Sequence, residues 1–241
     1  MEYGLQLYSV RDITGQDLAG AMEQVAALGY RFVEFAGFFG HSAEEVKAML
    51  DQNVLTVSGT HTGWQELTAD RIDETIAYHK AIGNKNIIIP GADLSTREKL
   101  DDLIHLINEA QPKLAKAGIA LGYHNHAHEF QPTGYGALIH EELEAHTQVE
   151  FEIDTYWAYV AGLDPVALLE RLGNRVRVIH LKDGFADGRG MALGEGTAPV
   201  VAVREYATAH GLAMVVESET CNPTGIEEVG RCMAYLNRLD N

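Results

Sequence analysis

Two hydrophobic rhythms alternate along this chain. Short, largely apolar runs read as β-strands at Gly4–Tyr8, Phe32–Ala36, Leu55–Gly59, Asn86–Pro90, Ile119–His124, Val149–Asp154, Val176–Leu181 and Ala213–Glu217. Between them apolar residues recur near every 3.6 positions, which predicts amphipathic helices at Asp17–Leu28, Ala43–Leu50, Asp70–Ile82, Lys99–Ala117, Pro165–Leu172, Pro199–His210 and Ile226–Leu239. A further helix near Ala137–His146 has the weakest periodicity. Several strands are apolar throughout, as strands covered on both faces of a parallel sheet are. Ser42 followed by Glu45 reads as a capping box. Gly83, Gly118, Gly173 and Gly211 stand where helices should stop.

Eight strand–helix units follow one another without a linker or a low-complexity break. They predict an α/β architecture, a (β/α)8 TIM barrel spanning residues 1–241 as a single domain, with a doubly wound open sheet as the alternative. The length of 241 residues agrees with the roughly 250 typical of such barrels. No GxGxxG follows the first strand, so a dinucleotide site has no support.

Charge and cysteine content narrow the function classes. The formal net charge of −17 opposes nucleic acid and anionic membrane surfaces as partners. No apolar stretch approaches the ~20 residues that span a bilayer. The N-terminus lacks a basic, then apolar, leader, and the two cysteines, Cys221 and Cys232, are not spaced as a metal or disulfide framework. The expected location is cytoplasmic.

Chemistry gathers at the strand ends. His124, Asp154, His180 and Glu217 each close an apolar run, and neighbouring parallel strands of a barrel would bring them to one mouth. Two carboxylates and two imidazoles make a donor set for a divalent metal: Mn2+, Mg2+, Co2+ or Zn2+. Alone, Asp154 would read as a helix N-cap and each histidine as a core residue; the joint placement favours a metal site. His126, two residues past His124, is an alternative ligand or an acid/base group, and Lys182 stands in the same relation to His180. Glu34 and His61 lie near the ends of the second and third strands as substrate contacts or buried ion pairs. Trp64 and Trp157, with Phe38 and Tyr8, offer aromatic faces to a sugar ring. The glycine-rich loop Gly184–Gly196, with Arg189 its basic residue, reads as a lid, a phosphate cradle or an ordinary turn. His128, His41, His79, His105, His140, His146 and His210 read as structural or solvated.

The segments QLYSVRD, GYRFVEFAG, SGTH, YHNHAHEF, EIDTYWAYVAG, IHLKD, LGEG and VVESE together resemble the xylose-isomerase-like TIM-barrel superfamily, in its sugar phosphate isomerase/epimerase branch. That resemblance implies a divalent metal, commonly manganese, held by residues of strands five to eight, and assembly as dimers or tetramers. Asp154, His180 and Glu217 match three of its ligand positions. The fourth is typically a glutamate at the end of strand five, and here that place falls on His124. Glu129, five residues on, is a further substrate-contact candidate.

These readings lead to an expected metal-dependent isomerase or epimerase acting on a small carbohydrate, a ketose or keto-sugar. Proton abstraction beside a carbonyl would proceed through a metal-stabilised enediolate, with Glu217 and His124 or His126 moving protons and Lys182 steadying oxygen charge. The missing strand-five glutamate keeps open a lyase or dehydratase acting by β-elimination on a keto-glycoside or inosose. A non-catalytic sugar-binding barrel is the reading from outside enzymology.

Overall fold

A computed structural model describes residues 1–241. Its parallel strands are β1 (Gly4–Gln6), β2 (Phe32–Phe35), β3 (Thr56–His61), β4 (Asn86–Ile89), β5 (Ala120–His124), β6 (Glu150–Asp154), β7 (Val176–Leu181) and β8 (Ala213–Val216). Each pairs with its neighbours in sequence, and β1 pairs with both β2 and β8, so the sheet closes into the predicted α/β barrel and the open-sheet alternative is excluded.

The helices pack their apolar stripes onto this barrel. The longest, Arg97–Lys116, buries Leu100, Leu103, Ile107, Ala110 and Leu114, the three- and four-residue spacing of one helical face. Each of the leucine and isoleucine side chains contributes roughly 1.5–3 kcal/mol on burial. Ser42 and Glu45 form the capping box over Ala43–Gln52, and Gly211, at φ 67°, closes Val200–His210 in the left-handed conformation that glycine tolerates best.

Strand boundaries differ from the sequence reading where turns intervene. β1 stops at Gln6, because Leu7–Val10 winds into a 3-10 turn. β3 starts one residue later and ends two residues later than predicted, after a turn in which Val54 takes a positive φ, and His61 is the last strand residue. β5 ends at His124, so His126 stands beyond the strand rather than continuing its face. A short helix, Thr155–Val160, follows β6 directly and had no separate periodicity to announce it.

Register decides which side chains meet. Across β1 and β2, Gln6 pairs with Glu34; across β5 and β6, His124 with Glu152; across β6 and β7, Asp154 with His180. Period-two alternation then puts Glu152 beneath Asp154 on β6. Glycine makes room for this polar interior: a Cβ on Gly59 would lie 2.6 Å from Ile88 and 3.0 Å from the Glu34 carboxylate.

Candidate active site

The strand-end residues converge at the C-terminal mouth of the barrel. His124, Asp154, His180 and Glu217 bring one ligand atom each within 4.8 Å of one another, and all four are buried. Asp154 Oδ1 accepts the Trp157 N–H at 2.8 Å, so this residue is both the N-cap of the following helix and a member of the cluster. Its Oδ2 is buried without a hydrogen-bond partner. His180 Nδ1 lies 3.2 Å from Glu217 Oε2. A buried carboxylate oxygen without a hydrogen-bond partner, beside a second carboxylate and two imidazoles, fits a divalent cation: the donor set is oxygen and nitrogen, and the positive charge would add to that of Lys182, 3.7 Å away.

A second layer lies directly beneath. Glu152 Oε1 is 2.8 Å from His61 Nε2, 3.1 Å from His180 Nε2 and 3.3 Å from His124 Nδ1. Glu34 Oε1 is 2.8 Å from His180 Nε2 and accepts from Gln6 Nε2 at 2.7 Å. Glu152 escaped the sequence reading, although its signal was there: in FEID it stands two residues before Asp154 and shares its face. Glu34, read from the sequence as a substrate contact or a buried ion pair, is fully buried in this layer and pairs with His180 and His61.

Burial and charge divide the ionisable groups. Burial pushes His124 down to about 3, which keeps it a neutral imidazole able to give a lone pair. For His126 burial lowers the pKa, but the Glu129 carboxylate outweighs it and the net direction is upward. Glu217 is raised by burial and lowered further by Lys182 and His180, ending well below the usual carboxylate range. Lys182 is buried among carboxylates, 2.8 Å from Glu219, 3.3 Å from Glu217 and 3.7 Å from Asp154. Its ammonium lies 4.8 Å from the Trp157 ring centroid.

Above the cluster opens a cavity of about 440 Å³, whose lining includes Tyr8, His61, His124, His126, Glu217 and Glu219. A second cavity of about 330 Å³ adjoins it through Gly37 and His61 and reaches Phe38 and Tyr78. Other sequence candidates lie elsewhere. Trp64 lines a separate apolar cavity with Leu94 and Leu103. Glu129 is buried, accepting from the His126 N–H and the Tyr123 hydroxyl, and so holds the strand-five loop. Arg189 is two-thirds exposed, over Phe185 and near Asp187, with no contact to the cluster.

The glycine-rich loop is not a free anion cradle. The buried Asp183 carboxylate accepts from the N–H groups of Gly184 and Ala198 on one oxygen and of Gly194 and Gly196 on the other, occupying the amides that a phosphate would need. Of the lining residues not singled out as site candidates in the sequence, Ala36 and Pro90 directly follow β2 and β4, and Glu219 lies in the segment after β8.

An inosose dehydratase from Geobacillus kaustophilus is 25% identical over 186 residues, an alignment covering 67% of this chain and 60% of that protein. A sugar phosphate isomerase/epimerase from Parabacteroides distasonis superposes with a TM-score of 0.84 at 25% identity, over 98% of this chain and 97% of that one. An L-ribulose 3-epimerase superposes at 0.72 with 13% identity, over 98% and 94% of the two chains, a likeness of fold. The model of the xylose isomerase-like TIM barrel matches residues 22–238, and this chain belongs to that family.

Proposed function

We propose that this barrel is a metal-dependent isomerase or epimerase of a small carbohydrate that removes a proton from carbon next to a carbonyl. The observation that carries the reading is the meeting of His124, Asp154, His180 and Glu217 in one buried cluster, of which His124 and Glu217 line an open cavity together with His126, while Lys182 lies 3.3 Å from Glu217. His124, Asp154, His180 and Glu217 would hold the ion, with Mn2+ first among Mn2+, Mg2+, Co2+ and Zn2+. Once bound, a divalent cation supplies Lewis-acid charge for substrate oxygens.

The chain's own groups supply the proton transfers. The depressed pKa of Glu217 keeps it an ionised acceptor for the substrate C–H proton. The electron pair left behind moves into the carbonyl, giving an enediolate. The ammonium of Lys182 faces that negative charge. His126, upshifted and in the lining of the same cavity, gives a proton to the same carbon for an epimerisation, or to the former carbonyl carbon for an isomerisation. His61 lines the cavity, and Trp157 lies under Lys182.

A β-elimination is the second reading, and one observation favours it: an imidazole, His124, stands at the end of β5, and no carboxylate faces Glu217 across the cavity. The first steps are then the same, but His126 protonates a departing β-oxygen instead of carbon, leaving an unsaturated carbonyl product.

Solvent exchange separates the two. Metal-loaded protein in D2O with a panel of ketoses, keto-glycosides and inososes should give deuterated epimers by NMR; an unsaturated product supports elimination, and binding without exchange would leave only a sugar-binding barrel. In parallel, Asp154→Asn and His180→Ala should each abolish stoichiometric metal retention. Full metal content in both variants would overturn the ligand assignment.

A further inference from the structure

His180 offers its two ring nitrogens to two different carboxylate layers. Nδ1 points into the upper cluster, 3.2 Å from Glu217; Nε2 points down, 2.8 Å from Glu34 and 3.1 Å from Glu152. A neutral imidazole carries one N–H, and the neighbours of each nitrogen decide which one bears it. Below, two buried carboxylates converge on Nε2, Glu34, itself tied to Gln6, and Glu152, and both also meet His61 Nε2, at 3.2 and 2.8 Å. The same carboxylates also support the ring plane: His61, held by Glu152 at 2.8 Å, stacks on His180 with centroids 5.4 Å apart and an interplanar angle of 22°.

Resting on the reading of the upper cluster as a metal site, we propose that Glu34 and Glu152 are positioning residues that take the Nε2–H of His180 and so commit its Nδ1 lone pair to the metal. A carboxylate on the far nitrogen of a ligand imidazole fixes its tautomer and orientation and raises its basicity, and losing such a partner typically weakens metal binding about 10–100-fold. The platform is built from β2 and β6 and supported from β1 and β3, so it is set by barrel closure. Glu34 makes the hydrogen bond to His180 Nε2, at 2.8 Å; Glu152 adds a charge contact to the same nitrogen at 3.1 Å, closer than its 3.3 Å contact to His124 Nδ1.

Two measurements test this. Long-range 1H–15N NMR of the Zn2+-loaded wild-type protein should show His180 with a protonated Nε2 and a metal-shifted Nδ1; the reverse tautomer overturns the proposal without need of any variant. Chelator competition should then show Zn2+ bound at least 10-fold more weakly by Glu34→Gln and Glu152→Gln, with the metal-free proteins melting within a few degrees of wild type. Variants that bind Zn2+ within two-fold of wild type overturn it as well. A wild-type protein that binds no Zn2+, Mn2+ or Co2+ brings down the metal-site reading itself, whereas tight wild-type binding with unaffected variants brings down only the role of Glu34 and Glu152.

Discussion

Between Phe130 and Phe151 the imidazole of His140 sits fully buried, stacked at 4.7 and 4.3 Å, and neither ring nitrogen has a hydrogen-bond partner. Burial pushes its pKa down to about 4. The unfolded chain protonates near 6.5, so between that pH and about 4 the unfolded state binds the extra proton. Stability from this residue is therefore complete above pH 6.5 and is lost as pH falls toward 4; at pH 5 the loss is on the order of 2 kcal/mol. His140→Phe, close in shape and without the proton, should reduce the stability difference between pH 7.5 and pH 5 by about that amount in urea unfolding. Equal differences in the two proteins would show that the ring is not the titrating group. At the mouth the same physics separates His124 from His126. For His124 burial outweighs the nearby Glu152 and the ring stays neutral; for His126 Glu129 outweighs burial and draws the pKa upward.

The segment after β7 is an element organised by one side chain. Asp183–Gly184 pairs antiparallel with Gly190–Met191, and the Asp183 carboxylate gathers four backbone N–H groups from Gly184 to Ala198. Charge-assisted bonds of this kind contribute roughly 1.5–3 kcal/mol each, and bonds sharing one carboxylate are not additive. Asp183→Ala should cost about 3 kcal/mol of stability. It should also speed amide exchange at Gly194, Gly196 and Ala198 while leaving β4 and β5 protected. Unchanged protection of these amides would mean that the loop is held by other contacts. The sequence announced this element as glycine-rich and no more. What the glycines do depends on a carboxylate that reaches them only after the loop has folded back.

At the scale of the whole molecule, closure of the barrel and the charge it carries matter most. β1 joins β8, which brings Gln6 and Glu34 under His180, residues 146 positions apart for the last pair. The net charge of −17 repels itself across a surface of this size, and screening weakens that repulsion over a Debye length of about 10 Å at 0.1 M salt. Raising NaCl from about 10 to 150 mM should therefore lift the melting temperature by a few degrees. A fall would mean that surface pairs such as Arg97–Asp101 and Lys47–Asp51 outweigh the global repulsion. No helix is long and apolar enough to cross a membrane.

Periodicity, caps and strand-end chemistry are local properties, and the sequence by itself determined what depends on them: eight parallel strands, the capping box at Ser42, and the identities of His124, Asp154, His180 and Glu217. Register and closure belong to the tertiary structure, and only it decided that Glu152 and Glu34 lie beneath the cluster rather than in the cavity. It likewise carried Trp64 and Arg189 away from the mouth and spent the loop amides on Asp183. The physical reason is the same in each case. A strand's alternation says which residues share a face, but which neighbour that face meets depends on pairing across the barrel, and no single segment encodes that pairing.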